Sequence, residues 1–306
     1  MGVKRLIRVG RKTWEDIVID VVIYLSLIFL VVVTLYPFLN TLAVSFNDAV
    51  DSSRGGITLW PRKFTLYNYQ SLLSRSQMYR AALISAARTV LSTVFGTFCT
   101  AMEAYIISRR EFVFRKFVSF IYVLTMYIDG GLVPTYFLMR SLGLVNSFWV
   151  YVVPGLVSAF NLIVIRTYIS SLSDSYVESA RIDGAGEFTI FMRIILPLCK
   201  PVLATIALFI AVDNWNAWFD TFLYNSANVN LSTLQYELMK VLQTANSMSG
   251  SLLQALSRAA AGTTNTVTPR AIRATMTIIV SVPIVLVYPF LQRYFVHGLT
   301  VGGIKE

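Results

Sequence analysis

Few residues of this chain can do chemistry inside an apolar setting. Asp129, Asp213 and Asp220 each interrupt a hydrophobic run, as do Arg88 and Glu103, with Asn216 and Tyr136 among the polar groups nearby. An unpaired charge in a bilayer core costs about 3 kcal/mol on insertion scales, so each must face water, a partner or a ligand. On a helical wheel Asp213, Asn216 and Asp220 fall within about 60°, with Trp215 and Phe219 turned away. Carboxylates and amides in such a strip can hydrogen-bond sugar hydroxyls. Asp213 and Asn216, then Asp129 and Tyr136, are therefore the candidates to line a translocation path. Three other readings stay open: the acids pair with another subunit's helix, they lie in water near the outer surface, or Asp129 and Asp213 hold the proton or sodium ion of a secondary carrier. Catalysis has no candidate. The single histidine, His297, follows the last apolar run, and Cys99 and Cys199 lack metal-type spacing. No HExxH, GxSxG or GxxxxGK[ST] pattern occurs. No catalytic residue, metal ligand or cofactor in this chain is expected.

The elements that position these groups are apolar helices. With 306 residues, 56% hydrophobic and 14% charged, and a mean hydropathy of +0.63, the chain lies outside the range of soluble domains. A bilayer core requires about 20 apolar residues per helix. Six segments supply them, at about 17–46, 80–108, 117–139, 146–168, 201–222 and 272–295, within one transmembrane domain from 17 to 306. The expected fold class is all-α and polytopic. The first run is longer than a signal-peptide core and lacks a cleavage site, so it is expected to remain as an anchor. Much of the +10 net charge lies in the basic residues 1–16 and in Arg109, Arg110, Arg115 and Lys116. The positive-inside rule puts both on the cytoplasmic side, together with the C-terminus, and nucleic acid is not implied. Asp129 and Asp213 then lie about 18–20 Å from the inner face, and Trp218, at about 26 Å, reads as an interfacial anchor.

The cytoplasmic loop 171–200 contains the stretch ESARIDGAGEFTIFMRIILP, with five formal charges and two glycines. Ser175 and Glu178 have capping-box spacing, Gly184-Ala185-Gly186 can stop the helix, and a second helix can run from Glu187 to Ile195 before Pro197. The exposed face would carry Ile182, Ala185, Phe188 and Phe191 beside Glu178, Asp183 and Glu187. That mixture suits a protein groove, although a plain connector would also join the spans.

Glu178-Ser179-Ala180, three residues, Gly184, nine residues, then Ile194-Ile195-Leu196-Pro197 resembles the EAA loop of bacterial ABC importer permeases. LYPFLNTLAVSFND, FTLYNYQSLL, GGLVPTYFLMRSLGL, WNAWFD and YPFLQRYFVHGLTVGGIKE are similar to the MalG-type permeases of carbohydrate uptake, above all their LplC/YtcP-like subgroup. Ser179 stands where the motif prefers Ala, and the chain ends Lys305-Glu306. The resemblance implies a type I importer permease in the bacterial inner membrane, importing an oligosaccharide by alternating access. It implies a sister permease, two ATP-binding subunits that hold ATP and Mg, and an extracytoplasmic solute-binding protein. Glu178, Ser179, Ala180, Asp183, Gly184, Ala185, Phe188, Ile194, Leu196 and Pro197 would couple to the ATPase. Arg88 and Arg140 would tolerate an acidic sugar.

Ser92, Gly96, Thr100, Ala104 and Ser108 form a ridge of small residues in the second span, open to a partner permease or to packing within the chain. Gly130, Gly131 and Pro134 in span three, and Pro283 and Pro289 in span six, should bend their helices. In the outer loop 223–271, Leu234, Leu238, Val241 and Leu242, then Leu252, Leu253, Leu256 and Ala260, repeat at helical spacing. Those helices could receive the binding protein or lie on the membrane.

Overall fold

A computed structural model describes residues 14–247 and 267–300. The helices are α1 Trp14–Ser45, α2 Ala49–Ser53, α3 Tyr67–Leu73, α4 Ser76–Ser108, α5 Arg115–Thr125, α6 Leu132–Ser141 and α7 Ala159–Ser170. There follow α8 Ser175–Ile182, α9 Glu187–Ile190, a π-helical turn Phe191–Ile195, α10 Leu196–Leu198, α11 Lys200–Asn216, α12 Phe219–Asn225, α13 Leu234–Ser247 and α14 Pro269–Thr300. Short 3-10 turns fill Phe148–Tyr151, Val153–Gly155 and Val229–Leu231. Among the described residues the β structure is an isolated antiparallel bridge between Asn47 and Phe64. The second predicted helix of the outer loop, at 252–260, and the C-terminal Lys305-Glu306 lie outside the described residues.

The chain divides into two compact units, 1–69 with 250–278 and 70–249 with 279–306. In the first, α1 is apolar on every side and its hydrophobic stretch has no buried residue. A helix can afford that surface in lipid because its backbone bonds close within the segment. Its exit is fixed by polar side chains. Asn47 Nδ2 donates to Asp51 Oδ2 at 2.9 Å and to Ser52 Oγ at 3.0 Å, and Asn47 Oδ1 accepts from Lys63 N at 2.7 Å. Arg62 Nε joins Asp51 at 3.0 Å, and Asn68 Nδ2 donates to the carbonyls of Ser45 and Asn47.

In the second unit α4 is the axis, flanked by α7 and α11. One core runs from Ala101, Ala104, Tyr105 and Ile107 of α4 through Leu162, Ile165 and Ile169 of α7 to Ile190, Phe191, Ile195, Val202 and Ile206. The ridge of small residues faces inward: Ser92, Gly96, Thr100 and Ala104 are buried. Ser92 Oγ donates to Tyr151 O at 3.1 Å and Thr100 Oγ1 to Leu156 O at 3.2 Å. Of the two readings of the ridge, packing within the chain is what the structure shows. The outer-loop pattern at 234–242 forms α13, with Leu234 and Leu238 buried.

Three helices are long and apolar enough to cross a membrane, Trp14–Ser45, Ser76–Ser108 and Pro269–Val287, or up to five if two bent pairs are single spans. The third predicted span is not continuous. α5 stops at Thr125, and Gly131, with φ +85°, precedes α6. Two adjacent glycines and an acid at 129–131 make the extended backbone cheaper there than the helix. α14 remains helical through Pro283 and Pro289.

A Cβ added at Gly96 would meet Ile210 Cδ1 at 3.4 Å and the carbonyls of Gly155 and Leu156 at 3.7 Å. Gly96→Ala should therefore be tolerated, whereas Gly96→Leu should cost about 1–3 kcal/mol through overpacking. Thermal melting of the detergent-purified variants would read the difference.

Candidate functional site

The loop 171–200 folds as a bent pair of short helices, but its first helix does not begin with a capping box. Ser173 Oγ instead accepts from Ser175 N at 3.3 Å and shares a hydrogen bond with Ser175 Oγ at 2.7 Å. Asp174 occupies the cap in a helical conformation and makes no side-chain cap bond. α8 ends as expected at Gly184, with φ +79°. Gly184 N donates to Arg181 O at 3.0 Å and Ala185 N to Ala180 O at 2.9 Å, the paired bonds of a glycine-terminated helix. After α9 and the π turn, the segment Glu187–Leu198 meets α11 at 83°, with Pro201 in the first turn of α11.

This geometry sorts the predicted coupling residues. Glu178, Ser179, Asp183, Gly184, Phe188 and Pro197 face out. Ala180 is buried, and Ala185, Ile194 and Leu196 are half-buried against the core. Ile182 is 87% and Phe188 65% exposed. Phe191, expected on the outer face, is only 2% exposed. It lies inward beside Ile190, with its ring 5.6 Å from Tyr105 and 5.9 Å from Phe98. Glu187 is exposed as expected, but its carboxylate is engaged from behind by Tyr105 and Arg181. Tyr105 Oη donates to Glu187 Oε2 at 2.6 Å, and Arg181 Nε to Glu187 Oε1 at 2.9 Å. Arg181 also reaches Glu111 at 2.5 Å.

The spans carry a second polar constellation. Arg88, 3% exposed, grips Asp220 with both terminal nitrogens and donates to Ala217 O at 3.2 Å and Asn214 Oδ1 at 3.3 Å. Its guanidinium lies 4.7 Å over the Tyr151 ring. Both expectations about these residues are thereby corrected. Asp220 is not on one strip with Asp213 and Asn216, because α11 ends at Asn216 and Ala217 is extended. Arg88 has its donors committed within the chain and is not free to meet an acidic sugar. Asp213 and Asn216 stay exposed on the last turn of α11, with no side-chain hydrogen bond among the described residues. Asp129 lies exposed in the break before α6, accepting from Gly131 N at 3.1 Å. Tyr136 stacks on Tyr224 at 6.0 Å. No hydrogen bond joins Asp129 or Tyr136 to Asp213 or Asn216 among the described residues. Trp215 Nε1 donates to Val280 O at 2.9 Å, and Trp218 packs on Phe219 and Phe222. Sequence reasoning also missed the Glu103–Tyr122 and Arg166–Ser119 pairs. The available signal was that a charge within an apolar helix demands a partner.

The profile of the binding-protein-dependent transport system inner membrane components matches residues 22–301. The chain belongs to this family. It is 32% identical to the polygalacturonan/rhamnogalacturonan transport system permease protein YtcP of Bacillus subtilis, over 94% of this chain and 98% of that protein. It is 34% identical to Protein LplC of the same organism, over 89% and 90%. A chain of a crystallised bacterial ABC transporter involved in the import of the acidic polysaccharide alginate matches with a TM-score of 0.80 and 27% identity, covering 94% of this chain and 99% of that one. The permease therefore has the type I importer fold and is a multi-pass membrane component, as the motif resemblance implies.

Two measurements test the permease's polar clusters. The carboxyls of Glu187 and Glu111 are held below their ordinary range, Glu187 chiefly by the Tyr105 hydroxyl and Glu111 chiefly by the Arg181 guanidinium. A depressed carboxylate stabilises above its unfolded pKa, and that contribution disappears as pH falls through the folded value. Hydrogen exchange at 178–190, corrected for intrinsic rates, should thus stay slow at neutral pH and speed up only below about pH 4.3, the ordinary Glu value. In the spans, Arg88→Met should destabilise by up to about 3–5 kcal/mol, the cost of leaving a buried ion unpaired, and less if water reaches Asp220. Arg88→Met with Asp220→Leu should recover part of the loss in the same melting assay.

Proposed function

We propose that the permease forms half of the pore of an ATP-driven oligosaccharide importer that works by alternating access. Partner subunits that hydrolyse ATP drive it through the loop 171–200. The observation that carries this reading is the elbow around Gly184, which leaves Ile182 and Phe188 exposed beside Glu178 and Asp183 while Val177, Ala180, Ile190 and Phe191 anchor it to the core. Water is a poor environment for two large apolar side chains, and the neighbouring acids are a poor fit to lipid. A groove on another protein satisfies both. The EAA-like spacing that builds this elbow, and membership of a binding-protein-dependent transport family, support the same conclusion.

In this reading both termini and the elbow face the cytosol of a bacterial inner membrane. A sister permease completes the pore, two ATP-binding subunits hold ATP and Mg, and an extracytoplasmic solute-binding protein delivers the cargo. The printed names of the relatives, with polygalacturonan, rhamnogalacturonan and alginate among them, support a sugar polymer or oligosaccharide as the transported class. Asp213 and Asn216, exposed and without a side-chain hydrogen bond among the described residues, are assigned to the path, where Asp213 can accept from sugar hydroxyls and Asn216 can accept or donate; Asp129 and Tyr136 are assigned more distantly. An ion-coupled carrier using Asp129 and Asp213 is disfavoured by membership of a binding-protein-dependent transport family.

In vesicles holding the full transporter, uptake should be abolished by orthovanadate and indifferent to an uncoupler. Ile182→Asp with Phe188→Asp should abolish both stimulated ATP hydrolysis and co-purification of the ATP-binding subunits. Uptake that survives vanadate and collapses with the uncoupler would overturn the proposal in favour of the carrier.

A further inference from the structure

An elbow that receives force must be braced, or it will turn in place. Apolar contacts behind it, made by Ile190, Phe191 and Ile195, resist separation but have little directionality. The bonds that close the turn at Gly184, from Gly184 N to Arg181 O and from Ala185 N to Ala180 O, are local to the elbow and do not tie it to α4. Along the chain the route to α11 passes through the π turn and then the 83° bend. π turns have weaker, less regular bonding and commonly mark sites that yield.

One directional linkage bypasses that route. Glu187 on α9 accepts Arg181 of α8 through one carboxylate oxygen, at 2.8 Å to Nη2 and 2.9 Å to Nε. Its other oxygen accepts the Tyr105 hydroxyl of α4 at 2.6 Å. Arg181 extends the link to Glu111 in the segment after α4. A single carboxylate therefore links the two arms of the elbow and ties both to the central helix. Tyr105 is 4% exposed; its ring packs on Phe191 at 5.6 Å and lies beneath the Arg109 guanidinium at 4.9 Å. It cannot swing away without disturbing the core.

We propose that Tyr105, acting through Glu187, is the positioning residue that makes the elbow and α4 move as one body, so that ATP-driven displacement of the loop reaches the spans. This inference rests on the coupling role proposed above. Because α4 packs along α7 and α11, displacing it moves the helix that presents Asp213 and Asn216.

The test uses the complete transporter in proteoliposomes with its binding protein and a transported sugar, measuring ATP hydrolysed per sugar imported. Tyr105→Phe, which removes one oxygen and keeps the ring, should still co-purify with the ATP-binding subunits and hydrolyse ATP. Its ATP-to-sugar ratio should rise at least about fivefold, the lower end of ordinary coupling between sites. Adding Glu187→Gln to Tyr105→Phe should worsen the ratio less than Glu187→Gln alone worsens that of the parent. An unchanged ratio in Tyr105→Phe overturns the inference. If that variant fails to accumulate, Glu187→Gln alone decides, with an unchanged ratio again overturning it. A parent chain that binds no ATP-hydrolysing subunit would instead defeat the coupling reading itself, so the two failures are distinguishable.

Discussion

A guanidinium buried among apolar helices has to be fully matched, and Arg88 shows what that requirement does to a fold. Its pairing with Asp220, Asn214 and the carbonyl of Ala217 draws the chain out of helix at Ala217. A helix end releases carbonyls that need donors, and Arg supplies several in a rigid fork. The break that satisfies the charge also separates Asp220 from Asp213 and Asn216. One acid thereby serves structure, and the polar pair on the last turn of α11 makes no side-chain hydrogen bond among the described residues. Had α11 continued unbroken, all three would share a face.

The opposite end of α4 is organised by the same logic with a neutral donor. Tyr105 lies within the core and offers its hydroxyl outward to Glu187. A carboxylate that accepts both a phenol and a guanidinium is well satisfied even where it is partly exposed, and charge-assisted bonds of this kind are shorter and stronger than neutral ones. With the back of the elbow fixed, its front can present Ile182 and Phe188 without collapsing onto the core. In the coupling role proposed here, the exposed apolar pair and the polar clamp behind it are complementary requirements.

Local signals made the elbow legible in the sequence. Glycine at 184, with flanking helix formers and a fixed spacing to Ile194-Ile195-Leu196-Pro197, specifies a turn from residues that are neighbours. The long apolar helices α1, α4 and α14 were legible for a similar reason, since composition alone decides them. What the sequence concealed depends on distant partners. Arg88 and Asp220 are 132 residues apart, and no periodicity shows that they meet. The helical wheel failed at Ala217 because the break serves that remote contact. Phe191 is turned inward by partners that are also distant in the chain, the rings of Phe98 and Tyr105 on α4. The small-residue ridge of α4 was read correctly as a packing face, but which surface it packs on was set by carbonyls at Tyr151 and Leu156, far along the chain.

The central claim is that force from nucleotide hydrolysis enters this chain at the braced elbow. A cryo-EM structure of the assembled transporter tests it most directly. The account predicts Ile182 and Phe188 seated in a cleft of an ATP-binding subunit, with the Tyr105–Glu187 bond intact behind them. An elbow lying free in solvent, or on the side facing the solute-binding protein, would contradict it.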